Sequence, residues 1–328
     1  MTRRDEDPHV PGSDANFSES VYVNGFDPVS RVGGWLRLGN RVHEGFAEMS
    51  LCLYLPDGRI ACQFQRPSIV DNRQFAAGGM EYQVLEPLQA VAMQYHGEVL
   101  VLDDPDLLRD PKRLFASAPR QHCAVEFELS GLSPVHGGEP ATANQQTMYG
   151  RDFSLGHFFQ HMRTVGRIRI GDDAWQIDGL GWRDHSWGPR YWSNIHYYRL
   201  LIANFGEDRG FTVLKITDRT GVTRRTGVVY FDGQFEDIID LDLITDWTDK
   251  MDPKSIRLAL RTDQRAVILE GEILTLAPLR NRRKLGDEVL LTRIAEGFTQ
   301  WQWGERSGLG ISEYIERIEG GVPVGFPQ

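Results

Sequence analysis

Four of the eight tryptophans in this 328-residue chain fall between Trp175 and Trp192. The same run holds Asp178, Arg183, Asp184, His185, Arg190 and Tyr191, punctuated by Gly179, Gly181, Gly188 and Pro189. Large rings mixed with an imidazole, carboxylates and guanidinium groups are poor material for a plain core strand. They suit an apolar pocket with a few aimed polar groups. A carboxyl group buried beside indole rings has its neutral form favoured, which makes Asp184 a candidate proton donor. Tryptophan and tyrosine faces can stabilise positive charge developing on a hydrocarbon. Strand geometry sets a limit: Trp182, Asp184 and Ser186 then face one way, and Arg183, His185 and Trp187 the other. A bulge or strand end near Gly181 or Gly188 would lift it. The competing reading is structural, with Asp184 pairing with Arg183 or Arg190 to tie a barrel corner.

A second constellation is His157-Phe-Phe-Gln-His161. On a helix this spacing would put both imidazoles on one face, as zinc sites use, but the glutamate of HExxH is missing. The run leads directly into strand-like Thr164 to Ile170. If it is extended, His157, Phe159 and His161 share one face, able to line a cavity, and Phe158 and Gln160 share the other. A third lies at Trp301 to Tyr314. Trp301 and Trp303 share a face if extended, and Glu313 and Tyr314 are polar groups that could serve the first site. A closing strand held by aromatic packing is the plainer reading. No GxGxxG, P-loop or GxSxG pattern occurs, so no nucleotide cofactor or acyl-serine chemistry is expected, and no metal.

The elements that must position these residues read mostly as strands. Glu48–Leu55, Cys123–Leu129 and Thr164–Ile170 alternate, as do stretches within Tyr82–Leu102. Tyr197–Asn204, Phe211–Thr217, Gly227–Phe231 and Ala266–Leu274 continue the pattern after the tryptophan cluster. Helical signals are weak: Pro105 and Pro111 restrict Asp104–Ser117 to short turns. Pro134–Asn144 reads as a loop, and the basic cluster Arg280–Lys284 as a solvated loop. The fold class is therefore all-β, with meandering antiparallel sheets. A polar tail is expected over 1–16, with strand-rich domains over 17–195 and 196–328.

Composition bounds the partners. A net charge of −10 argues against a phosphate-binding surface, hence no nucleic acid. No apolar run reaches the length of a membrane span. Cys52, Cys62 and Cys123 are odd in number and contain no CxxC, so no disulfide framework or zinc ribbon is indicated. Basic residues near Met1 lack an apolar run behind them, which leaves a cytoplasmic location as the expectation. A homodimer is an open assembly state.

Asp178-Gly-Leu-Gly-Trp-Arg-Asp-His-Ser-Trp-Gly188 resembles the signature of the superfamily that joins AttH-like proteins with CrtC-type carotenoid 1,2-hydratases, matching it at Asp184, His185, Trp187 and Gly188. Gly308-Leu-Gly-Ile-Ser-Glu-Tyr314 is similar to that group's terminal strand. Gly33-Gly-Trp-Leu-Arg-Leu-Gly-Asn40 and Glu44 fit its bacterial relatives. The resemblance implies two packed lipocalin-like (calycin) β-barrels with an apolar cavity. It implies a cofactor-independent lyase or isomerase, of hydratase, dehydratase or cyclase type, on an isoprenoid-, steroid- or polyketide-like molecule. Asp184 and His185 then inherit the proton-source role, His185 orienting or recharging Asp184 or acting as base toward water, with His161 as a further catalytic candidate. Trp182, Trp187, Arg190, Tyr191, Trp192, His157 and Tyr314 become binding residues. The rival expectation is a non-catalytic carrier of lipids or terpenoids.

Overall fold

The computed structural model describes residues 1–142, 145–151 and 153–327. They form two compact units, both all-β as expected. The first unit takes 1–57, 61–101 and 119–192, and the second takes 58–60, 102–118 and 193 onward.

The first unit contains strands β1 (Phe17–Phe26), β2 (Gly33–Arg41), β3 (Phe46–Tyr54), β4 (Ile60–Gln65), β5 (Phe75–Ala77), β6 (Met80–Glu86) and β7 (Ala90–Leu102). It continues with β8 (Arg120–Gly131), β9 (His136–Gly138), β10 (Gly156–Ile170) and β11 (Asp173–Pro189). β1 to β4 are neighbours in order, as are β7, β8, β10 and β11. β11 pairs with β1 and β4 with β7, so these eight strands close into a ring. The reason is the period of two. Val21 and Val23, Leu36 and Leu38, Leu51 and Leu53, Met93 and Tyr95, and Val125 and Phe127 alternate along their strands and meet in one buried cluster. Each such side chain contributes about 1.5–3 kcal/mol on burial. Within the stretch expected as a loop, β9 pairs with β10, while Ala143 and Asn144 lie outside the described residues.

The second unit contains β12 (Ile195–Asn204), β13 (Arg209–Asp218), β14 (Thr223–Phe231), β15 (Gln234–Asp237) and β16 (Asp240–Trp247). β17 (Pro253–Arg261), β18 (Ala266–Leu285), β19 (Glu288–Trp303), β20 (Arg306–Glu319) and β21 (Val322–Pro323) complete it. Its strand order is β15-β14-β13-β12-β20-β19-β18-β17-β16, with β21 on β20. Trp301 and Tyr314 sit in its core, and Trp303 packs against it. Buried Arg199 and Arg293 both bond Glu316. The basic cluster expected as a loop is instead part of β18, paired to β19 and solvent-facing from Asn281 to Lys284. Long hairpin strands project charges as readily as loops do. The helical stretch is short, as the prolines require. A 3-10 turn at Pro105–Arg109 precedes helix α1 (Pro111–Ser117), and Asp104 and Asp110 accept backbone N–H bonds at their starts. No helix among the described residues is long and apolar enough to cross a membrane.

Candidate active site

Strand β11 runs beside β1 in unbroken register from Phe17↔Pro189 to Phe26↔Leu180. It pairs with β10 from Gly156↔Trp187 to Ile170↔Asp173. No bulge interrupts it, so the alternation holds and Asp184 and His185 face opposite ways. Val21 and Val23 point into the barrel core and pair with His185 and Arg183. His185, Arg183 and Trp187 therefore share the inward face, and Trp182, Asp184 and Ser186 the outward one.

On the outward face, register aligns Phe159, Asp184, Tyr22 and Arg37 in a row across four strands. His161, Trp182, Asn24 and Trp35 form the next row, and His157, Ser186, Ser20 and Gly39 the one on the other side. The Asp184 carboxylate lies 3.1 Å from His157 Nε2, with side-chain exposures of 13% and 2%. Aromatic rings surround the pair. Phe159 stacks on Trp182 at 5.4 Å, Tyr22 meets Trp182 edge-on at 5.9 Å, and Tyr149 meets His157 edge-on at 4.7 Å. Beyond Gly188, whose φ of +119° lies in a region that favours glycine, Arg190 returns to this face. Its Nη2 donates to Ser186 Oγ at 2.6 Å. Its guanidinium lies 4.3 Å above the Phe153 ring, which Trp192 meets edge-on at 4.7 Å.

The inward face is a closed network. His185 Nε2 lies 2.9 Å from Glu19 Oε1, and His9 Nδ1 lies 2.6 Å from the same oxygen. The His9 backbone N–H and Asn72 Nδ2 donate to Glu19 as well. Burial alone pushes the Glu19 carboxyl up, but the bonds to His185 and His9 outweigh it and hold the group below its ordinary value. His9 stacks on Trp187 at 3.9 Å, and Trp187 Nε1 donates to Glu139 at 2.8 Å. Gly156 makes room for this indole, since a Cβ there would come within 2.1 Å of it. Arg183 donates to both Glu6 oxygens, at 2.7 and 2.9 Å, to Gln160 and to the Tyr82 hydroxyl.

The donor atoms of His9, Glu19 and His185 lie within 4.8 Å of one another, a set a divalent ion could accept. Metal ligation by His185 Nε2 would leave a proton on Nδ1. That atom is buried with no hydrogen-bond partner among the described residues. Metal-bound histidines nearly always donate that second N–H, so the trio fits a hydrogen-bond network better than a metal centre. His157 and His161 lie on a strand rather than a helix. Four residues there span roughly 13 Å, too far for one ion.

The structure thus brings Asp184, His157, Trp182, His161 and Arg190 to one face and places His185 and Trp187 on the other. The expected pairing of Asp184 with His185 is replaced by Asp184 with His157, because an unbulged strand cannot turn adjacent side chains the same way. The Tyr191 hydroxyl donates to Asp14, at 2.8 and 2.9 Å. Tyr314 belongs to the second unit's core, its hydroxyl 2.8 Å from Thr245 Oγ1 and its ring under Arg199 at 4.3 Å. Glu6, His9, Glu19 and Tyr22 were not singled out from the sequence. Glu19 left one signal, a lone acid inside the apolar-leaning run Phe17-Ser-Glu-Ser-Val-Tyr-Val23. Glu6 and His9 left none, since a polar N-terminal stretch reads as solvated.

An eight-stranded antiparallel ring with a buried polar pair among aromatic rings defines an all-β, lipocalin-like barrel protein. The chain belongs to the family described as a domain of unknown function, DUF7064, whose model matches residues 2–318. Its fold is similar to that of a candidate AttH from Nitrosomonas europaea, with TM-score 0.64, 12% identity, and coverage of 93% of this chain and 94% of that one. CghA in complex with Sch210972 matches with TM-score 0.56, 10% identity and 95% of both chains. Kievitone hydratase from Nectria haematococca matches with TM-score 0.55, 8% identity, 93% of this chain and 90% of that one. The AttH-like resemblance read from the sequence is thus present in the fold. No protein of curated function matches the sequence.

Proposed function

We propose that this protein is a hydratase-type lyase that uses acid/base chemistry, without a cofactor, on an apolar isoprenoid-, steroid- or polyketide-like molecule. The observation that carries the reading is the Asp184–His157 pair, 3.1 Å apart among the rings of Trp182, Phe159, Tyr22 and Tyr149. A fold shared with kievitone hydratase supports the same class. In the hydration direction, the Asp184 carboxyl proton forms a C–H bond at one alkene carbon. The neighbouring carbon becomes cationic, and the Trp182 and Tyr22 faces stabilise it by about 0.5–2 kcal/mol. Water adds there, and its surplus proton passes through His157 back to Asp184. Positioned proton transfer of this kind contributes about 10²–10⁴-fold. His161, beside Trp182 on the same face, completes the polar lining.

The test is product formation by Asp184→Asn with the true substrate. Loss of turnover with ligand binding retained is the expected result. Unchanged turnover eliminates the assignment. A carrier would instead return its ligand chemically unaltered from wild type and variant alike.

A further inference from the structure

Among the buried arginines, Arg41, Arg183, Arg199 and Arg293 each has a carboxylate partner, and Arg317 bonds Thr292 Oγ1 and the Ile195 carbonyl. Arg190 has no carboxylate partner among the described residues. It is 6% exposed, bonds Ser186, covers the Phe153 ring and forms no ion pair among the described residues, and its Nε has no hydrogen-bond partner there. A buried guanidinium without a counter-charge is costly. It is retained where planar recognition of an anion is needed. Burial, with the nearby Arg37 charge, lowers its pKa to about 10, so it stays cationic at neutral pH. Two more polar atoms of the same sheet face, Ser18 Oγ and Trp35 Nε1, are buried without hydrogen-bond partners among the described residues.

The other charges near Arg190 leave room for an anion. Glu48 is neutralised by Arg37, both guanidinium nitrogens at 3.2 Å. Asp184 is engaged by His157, whose Nε2 lies 3.1 Å from its carboxylate. Ser186 Oγ accepts from Arg190, and among the described residues its own O–H has no acceptor, so it can donate.

We propose that Arg190 and Ser186 seat a carboxylate on the substrate, so that the molecule taken at Asp184 is an amphipathic acid with an apolar body. The inference rests on the reading of this face as the substrate site. An anion anchored at Arg190 fixes the register of the apolar chain against Asp184, and so selects which carbon receives the proton.

Binding of a C15 isoprenoid carboxylic acid and of the matching alcohol, followed by tryptophan fluorescence or calorimetry, tests this directly. Wild type should bind the acid at least tenfold more tightly than the alcohol. Arg190→Met should erase that preference, Arg190→Lys should keep part of it, and Asp184→Asn should keep it. Equal binding of acid and alcohol by wild type overturns the proposal, as does a preference that survives Arg190→Met. If Arg190→Met does not fold, the wild-type ratio alone decides. Loss of the acid preference with Asp184-dependent turnover intact condemns only the anion seat. The converse condemns only the proposed reaction.

Discussion

The two faces of β11 carry similar residue types and use them differently. Inward, Arg183 meets Glu6, Gln160 and Tyr82, and His185 meets Glu19, which also bonds His9 and Asn72. Nearly every charge there has its complement within the barrel. Outward, Asp184 has one imidazole at 3.1 Å, and Arg190 has a hydroxyl and a ring but no carboxylate among the described residues. The inward groups are compensated by the chain itself and so hold the fold. Outward, Asp184 and Arg190 are not paired with one another or with a second opposite charge among the described residues, and such groups in a cleft are candidates for acting on something else. Residue type alone does not separate the two roles.

The comparison yields a graded set of effects. The largest belongs to Asp184→Asn, expected to lower turnover about 10²–10⁴-fold with little change in unfolding midpoint. A large stability loss with turnover intact would reverse the roles of the faces. Next is Glu6→Ala. Stripping the partner from buried Arg183 should cost about 3–5 kcal/mol in urea unfolding, and pairing it with Arg183→Met should restore part of that loss. A loss under 1 kcal/mol would mean that the N-terminal segment is not part of the barrel's support.

Third comes pH. Glu19 has its folded pKa lowered from 4.5. Its contribution is therefore fully present above about 4.5 and fades as pH falls through the lower folded value. Glu19→Gln should destabilise by about 2 kcal/mol at neutral pH, and the gap to wild type should close in acid below pH 4.5. A gap that widens in acid has the wrong sign. The smallest effect is Trp187→Phe, which loses the bond to Glu139 and should cost about 1 kcal/mol without touching turnover.

Much of this was legible from the sequence because strands are local. Cys123–Leu129 and Thr164–Ile170 alternate in the text of the chain and lie inside β8 and β10. The split of Asp184 from His185 follows from the same period of two. The partners were not legible. Glu19 and His185 are 166 residues apart, and Arg183 and Glu6 are 177 apart. The first is fixed by the pairing of β1 with β11, and the second by the return of the N-terminal turn Arg3–Glu6 to the barrel. His157 was visible as a candidate lining residue, but its bond to Asp184 depends on β10–β11 register, which spacing within either strand does not reveal.

The most direct measurement sets the two faces against each other. Purified wild type, Asp184→Asn and His185→Asn are each given the compound extracted from the native protein in ¹⁸O-labelled water, and label in the product is read by mass spectrometry. The account predicts incorporation by wild type and by folded His185→Asn, and none by Asp184→Asn. Incorporation by Asp184→Asn, or its loss only in a stably folded His185→Asn, would contradict it.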